Sequence, residues 1–298
     1  MLTTILAGCD LSGPSDQALD RAVAIAERHR AKLVLVHAQA DDAPIAEVDN
    51  AMLEQLGEVS AAVRVEEARQ LADRLSAIEA RGLRTELVSR IGPPDEVLAG
   101  AALEYAAELI VVGTHGHTGI VRFLLGSVAS STIRHAPCDV LVVRGRPVNG
   151  LFARPLVATD FSPAASKAIS HAAWVCAPDA AIEAIHAWQL PTGSWGATLL
   201  GQARFPWSTV RDAVVVAAKT QVDKLVAEHA ALGTSLRVEL VQGPPTQVIT
   251  HAAEKDRHDL IVVGAHGHRG MRRWLLGSVA DATVRHAPCS VLVVHSGS

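Results

Sequence analysis

The chain has 298 residues, of which 49% are hydrophobic and 19% charged, with a formal net charge of −4. That length suits about two domains of roughly 150 residues, each able to bury its own core. No long basic run exists, which argues against nucleic acid as the main partner; no apolar run reaches the roughly 18–20 residues of a membrane span.

In chain order, the first apolar run, residues 3–8, reads as a strand. Ser12 or Ser15 is placed to cap a helix over 14–30, with Pro14 in its first turn. Residues 33–38 are continuously apolar and β-branched, the mark of a strand covered on both faces. Helical spacing of Leu53, Leu56, Val63, Ala68, Leu71 and Leu75 predicts a long helix over 49–81, ended by Gly82. A strand at 85–89 follows, then a helix opened by Gly92-Pro-Pro-Asp and running to about 107. A buried strand at 109–112, a Gly-rich loop, a helix over 127–135 and a strand at 140–143 complete the first half.

The second half repeats this order, with strands near 156–159, 182–187, 236–241, 260–263 and 291–294. Gly243-Pro-Pro stands where Gly92-Pro-Pro stands in the first half. The connection over 145–154 is rich in turn residues, so domains of 1–146 and 153–298 are expected. Strands alternating with helices call for an α/β fold, with a parallel doubly wound sheet of five strands in each half.

The halves diverge at 189–209, a segment rich in Pro, Gly and aromatics, and all five tryptophans (174, 188, 195, 207 and 274) lie in the second half. That segment reads either as a long surface loop packed by its own rings or as a lid or partner-binding patch. The four cysteines, Cys9, Cys138, Cys176 and Cys289, form no C-x-x-C pair and read as small buried hydrophobes of a reducing compartment. The N-terminal Met-Leu-Thr-Thr-Ile-Leu-Ala-Gly-Cys-Asp lacks the basic start and apolar core of a signal peptide, so a cytoplasmic location is expected.

The most informative feature is a duplication. Residues 113–144 and 264–295 agree at 22 of 32 positions, and each copy holds the pattern G-x2-G-x9-G-S between an apolar strand and a helix start. A period this long means duplicated whole domains, since solenoid repeats run about 20–50 residues. Open α/β sheets bind ligands at the carboxyl ends of their strands. A helix N-terminus offers free N–H groups and a positive dipole end to an anion. Glycines remove Cβ atoms where backbone must approach a ligand. Gly113, Gly116, Gly126 and Ser127, with Gly264, Gly267, Gly277 and Ser278, therefore read as two phosphate cradles. Neither the G-x-x-x-x-G-K-[ST] P-loop nor a Rossmann G-x-G-x-x-G after a first strand is present.

The pattern resembles the ATP-binding class of universal stress proteins. The duplicated ending Arg-His-Ala-Pro-Cys-x-Val-Leu-Val-Val adds to the resemblance, which covers nearly the whole chain as two tandem domains. It implies a sheet order of 3-2-1-4-5 in each domain. It also implies that adenine and ribose are held at Asp10, Ala38, Val112 and Gly113, and phosphates at Gly116, Gly126, Ser127 and Val128. In the second half the matching positions are Asp160, Ala187, Val263 and Gly264, then Gly267, Gly277, Ser278 and Val279. ATP, accompanied by Mg²⁺, is the implied ligand. The resemblance further implies that the last strands, 140–143 and 291–294, pair within the chain as an intramolecular pseudo-dimer. A further homodimer stays open.

Two departures separate the halves. The first strand ends Ala-Gly-Cys-Asp in the first half and Val-Ala-Thr-Asp-Phe-Ser in the second, and Ser130-Ser131 faces Asp281-Ala282. The second half is closer to the family pattern, so nucleotide is expected there first. His115, His117, His266 and His268 read as loop-bracing or phosphate-facing groups; no carboxylate or Cys stands at zinc spacing from them, so no metal site is assigned. His37 and His186 read as structural. With no base and no P-loop lysine, no catalytic residue is assigned. The expected role is a nucleotide-dependent regulator or sensor acting on a protein partner not yet identified. The alternatives are a slow ATPase or phosphometabolite hydrolase, and a scaffold whose sites are vestigial.

Overall fold

A computed structural model describes residues 1–39, 50–114, 125–145, 150–190, 207–231, 235–267 and 276–295. The chain divides into two compact units, the first from Met1 to Gly150 and the second beginning at Leu151.

Unit 1 comprises β1 (Thr4–Gly8), α1 (Gly13–His29), β2 (Lys32–Gln39), α2 (Asn50–Glu79), β3 (Thr85–Ile91), α3 (Pro94–Glu104), β4 (Leu109–Gly113), α4 (Ser127–His135) and β5 (Asp139–Val143). Its sheet runs β3-β2-β1-β4-β5, every pair parallel. Unit 2 comprises β6 (Pro155–Ala158), α5 (Pro163–Val175), β7 (Ile182–Trp188), α6 (Trp207–Ala231), β8 (Leu236–Gln242), α7 (Pro245–Lys255), β9 (Leu260–Gly264), α8 (Ser278–His286) and β10 (Ser290–Val294). Its sheet runs β8-β7-β6-β9-β10, again parallel, which is the same topology.

Parallel strands linked by crossover helices are buried on both faces, so they need uninterrupted apolar sequence. Ile5, Leu6 and Ala7 in β1 and Ile110 and Val111 in β4 are fully buried, and so are Leu260, Ile261 and Val262 in β9. An acid clamps the start of each central strand. Glu108 accepts from Thr3 N at 2.5 Å and Thr4 N at 3.1 Å; Asp259 accepts from Ala153 N at 2.8 Å and Arg154 N at 2.9 Å. The chain leaves β1 toward β2 on one side, and β4 lies on the other. The order reverses there, which opens a crevice beyond the carboxyl ends of β1 and β4.

Helix starts follow the sequence closely. Ser12 caps α1, accepting from Ser15 N at 3.4 Å, and Ser162 caps α5, accepting from Ala165 N at 3.2 Å. Helix α3 stops at Glu104, earlier than its composition suggests. Ala106 there turns left-handed (φ 48°), and Ala107 N donates to Ala102 O at 2.9 Å. Alanine gives no warning of such a turn, because it is the best helix former. The connection between the units is tied down early: Phe152 is buried, and its N–H donates to Val175 O at 3.1 Å.

Candidate functional site

The acid after each first strand is oriented by the backbone. Leu11 and Phe161, directly after Asp10 and Asp160, are left-handed at φ 63° and 62°. This kink lets the next serine reach back. Ser12 N and Oγ donate to Asp10 Oδ1 at 3.0 and 2.5 Å, and Ser162 N donates to Asp160 Oδ1 at 3.0 Å. Local side-chain-to-backbone bonding of this kind suits Asp at a turn.

Ala38 and Ala187 each follow a histidine at the end of the second strand. His37 Nδ1 lies 2.8 Å from Cys9 O, and His186 Nδ1 lies 2.8 Å from Thr159 O. A carbonyl only accepts, so both rings carry their proton on Nδ1 and donate it. The pair of histidines thus ties the second strand's end to the first strand's end, as their structural reading implies.

Gly113 ends β4 where α1 begins. A Cβ built on it would lie 2.8 Å from Pro14 O, so only glycine fits there. Beyond it, Gly126 N donates to Thr114 O at 2.7 Å, which closes the base of the loop. Helix α4 then starts with Gly126 in the N-cap position and no side-chain cap. The first N–H groups of a helix lack partners within it, so an uncapped start is an anion-binding end. Below it lies a cavity of about 300 Å³ that brings together Asp10, Ala38, Val112, Gly113, Gly126, Ser127 and Val128. Seven of the eight positions assigned in the first half therefore share one space; the eighth, Gly116, lies outside the described residues, as do His115 and His117.

The cavity also has walls the sequence reading missed. Pro94 and Leu98 from α3 close one side, and Cys9 and Ser15 stand at the floor. The duplicated Gly-Pro-Pro was the available signal for α3. Burial pushes the Cys9 thiol above its ordinary range, partly offset by a backbone hydrogen bond from Leu11 and by the charge of Arg74. Arg74 is itself held by Asp16, Nε to Oδ1 at 2.8 Å.

Unit 2 carries the same parts. Helix α8 also starts uncapped, at Gly277, and Gly277 N donates to Ala265 O at 2.8 Å. Gly264 packs near Ala164, at the start of α5. In this unit the loop stem folds inward. Ala265 is buried, its N–H donates to Val294 O at 2.8 Å, and a Cβ on Gly267 would lie 2.6 Å from Asp160 Oδ2. In this half the chain's own backbone lies against the assigned acid; Gly116, the equivalent residue of unit 1, lies outside the described residues. A glycine can rest there, where any side chain would collide with the carboxylate. Ala187, Val263, Ser278 and Val279 keep their places at the ends of β7 and β9 and the start of α8. His268, Arg269, Arg272, Arg273 and Trp274, and most of the 189–209 segment, lie outside the described residues.

Two sandwiches of order 3-2-1-4-5, each with a glycine ending its fourth strand and an uncapped start to its last helix, define a class of tandem α/β domains. The universal stress protein family model matches residues 1–144 and again 152–295, and the chain belongs to that family. A protein of Staphylococcus aureus (strain USA300) named as a universal stress protein is 35% identical over 162 residues, spanning 52% of this chain and 91% of its own length. The crystal structure of a universal stress protein from Archaeoglobus fulgidus DSM 4304 is similar along 99% of this chain and 97% of its own, at 22% identity and a TM-score of 0.64. Among the described residues no helix is long and apolar enough to cross a membrane.

Proposed function

We propose that the chain binds ATP in the unit 1 cleft and acts as a nucleotide-dependent regulator of a protein partner. The observation that carries this reading is the cavity of about 300 Å³ beneath the uncapped start of α4. That volume is at the lower end for small-molecule sites. Asp10 would accept from the ribose hydroxyls, and the backbone at Ala38 would meet the adenine edge. Gly113, Gly126 and Ser127 would present N–H and hydroxyl donors to the phosphates. Mg²⁺ would accompany the phosphates and keep several of its waters, as that ion usually does.

The lining holds one carboxylate, Asp10, and no lysine, arginine or histidine among the described residues. Fast phosphoryl transfer needs a charge clamp and a positioned base or water, so binding fits this lining better than turnover. A nucleotide in the cleft would order the surface around the loop whose base is pinned by Gly126 and Thr114. It would thereby favour one state of that surface over others. The second cradle, Asp160 to Val279, would fill only after Gly267 leaves the acid.

Titration calorimetry of the full chain with ATP tests the reading. Saturable binding is expected, lost in Asp10→Ala and weakened about tenfold in Ser127→Ala, with AMP competing poorly. No binding at millimolar ATP in the unaltered chain refutes it.

A further inference from the structure

A second groove lies in unit 2, between the exposed face of the edge strand β8 and the helix α7, with a volume of about 350 Å³. Apart from Ile185, whose counterpart Val36 borders the unit 1 cleft, none of its lining residues holds a position equivalent to a cleft residue. It is therefore a different site from the one proposed for nucleotide.

The duplication supplies an internal comparison. In unit 1 the corresponding face is bridged by the chain's own side chains. Arg90 reaches from β3 across to Glu104 at the end of α3, Nη2 to Oε2 at 2.6 Å. Tyr105 donates its hydroxyl to Glu86, and Lys32 Nζ stands 4.8 Å from the centre of the Tyr105 ring. The positions equivalent to Arg90, Glu104, Tyr105 and Glu86 are Val241, Lys255, Asp256 and Arg237. Unit 2 thus lacks the guanidinium arm and the phenol ring that bridge this face in unit 1. A further exchange puts Glu239 where the buried Val88 lies in unit 1.

What remains has a definite chemistry. Ile185, Val248 and Ala252 give an apolar floor, flanked by the carboxylates of Glu239 and Asp256 and the ammonium of Lys255. None of these three charged groups forms an ion pair with a described residue. The complement of such a groove is a small molecule with an ammonium, a carboxylate and an apolar body. We propose that it binds a free α-amino acid with an apolar side chain. Glu239 and Asp256 pair with the ammonium, Lys255 pairs with the carboxylate, and the side chain covers Ile185 and Val248. Such paired, charge-assisted contacts fix orientation while the apolar floor supplies most of the burial.

The test is ligand-observed NMR on the full chain with L-leucine, L-isoleucine, L-valine, L-methionine and L-phenylalanine, each compared with its N-acetyl and its amide derivative. At least one amino acid is expected to bind saturably, at least tenfold more tightly than either blocked form. The triple variant Val241→Arg, Lys255→Glu, Asp256→Tyr restores the Arg–Glu strap of unit 1, adds a phenol ring beside it, and is expected to abolish the signal. Should that variant fail to fold, Glu239→Gln and Lys255→Gln decide instead, since both side chains are exposed; each is expected to weaken binding at least fivefold. Absence of binding for all five amino acids overturns the proposal. So does equal binding of blocked and unblocked forms, or affinity unchanged in the folded triple variant or in both single variants.

Discussion

Gly267 stands against Asp160 so closely that any side chain on it would enter the carboxylate's space, at 2.6 Å from Oδ2. Gly267→Ala must therefore displace one partner. Turning Asp160 away strains its bond from Ser162 N; lifting the loop stem strains the bond from Gly277 to Ala265. Either loss costs about 1 kcal/mol. Hydrogen exchange followed by mass spectrometry is expected to show amides around 265–277 exchanging roughly five times faster, with unit 1 unaffected. An unchanged exchange pattern would contradict the contact.

Two glycines of unit 1 should respond to alanine with opposite sign. At Gly113 the new Cβ meets backbone, 2.8 Å from Pro14 O and 3.2 Å from Ser15 N, and neither atom can swing aside. Overpacking of this kind costs about 1–3 kcal/mol. At Gly100, inside α3, nothing lies within 4 Å, so Gly100→Ala should stabilise by up to about 1 kcal/mol through helix propensity. Urea unfolding of the two variants beside the parent chain measures both shifts. Equal shifts would remove the steric argument for Gly113.

Acid should discriminate Ser131→Ala from the parent chain. Ser131 Oγ donates to Asp95 Oδ2 at 2.5 Å, and that bond, with the nearby His135, holds the Asp95 carboxyl below its ordinary value of 3.8 despite some desolvation. A group whose acidity is strengthened by folding stabilises the fold above its unfolded pKa. That contribution fades as pH falls through the lowered value. The parent's advantage over Ser131→Ala is therefore expected to be constant above about pH 5 and to shrink below 3.8. Unfolding midpoints at pH 7, 4 and 3 check this; an advantage that grows toward acid would reverse the sign and sink it.

The cysteines should be nearly silent in the folded chain. None of the four forms a disulfide, and burial pushes Cys138 up to about 12 and raises Cys9 as well. Thiol reagents attack the thiolate, which is scarce at neutral pH for such groups. A disulfide-exchange reagent at pH 7 is expected to react slowly with native protein and with four thiols after denaturation. ATP should slow the Cys9 reaction further, because that residue stands at the floor of the cleft. Rapid native reaction of Cys9 would mean that the floor is open.

The fold was legible from the sequence wherever a local rule and the apolar pattern agreed. Helix α4 falls at Ser127–His135 because Gly-Ser starts it and Ala-Pro ends it. The early stop of α3 was not legible, because the left-handed residue is Ala106 and the reason lies in packing rather than in composition. In the site, Asp10 and Gly113 stand out because the chain states them twice. Leu98 does not, and Pro94, though repeated as Pro245, could not be placed there, since only the sheet order brings α3 over β1 and β2. The duplicated glycines also could not tell that Gly267 lies against Asp160. A glycine's backbone freedom is compatible with several resting places, and contacts across the unit select among them.

The left-handed residues after Asp10 and Asp160 carry a consequence for how the two halves can drift apart. Neither is glycine, so each kink is an uncommon conformation that the surrounding fold must enforce. The aim of the acid is thus written into the path of the main chain and depends little on which side chains surround it. Cys9 could replace a threonine and Leu11 a phenylalanine without turning the carboxylate elsewhere. A duplicated chain with that property can experiment with the lining of one half while the acid of both keeps its bearing.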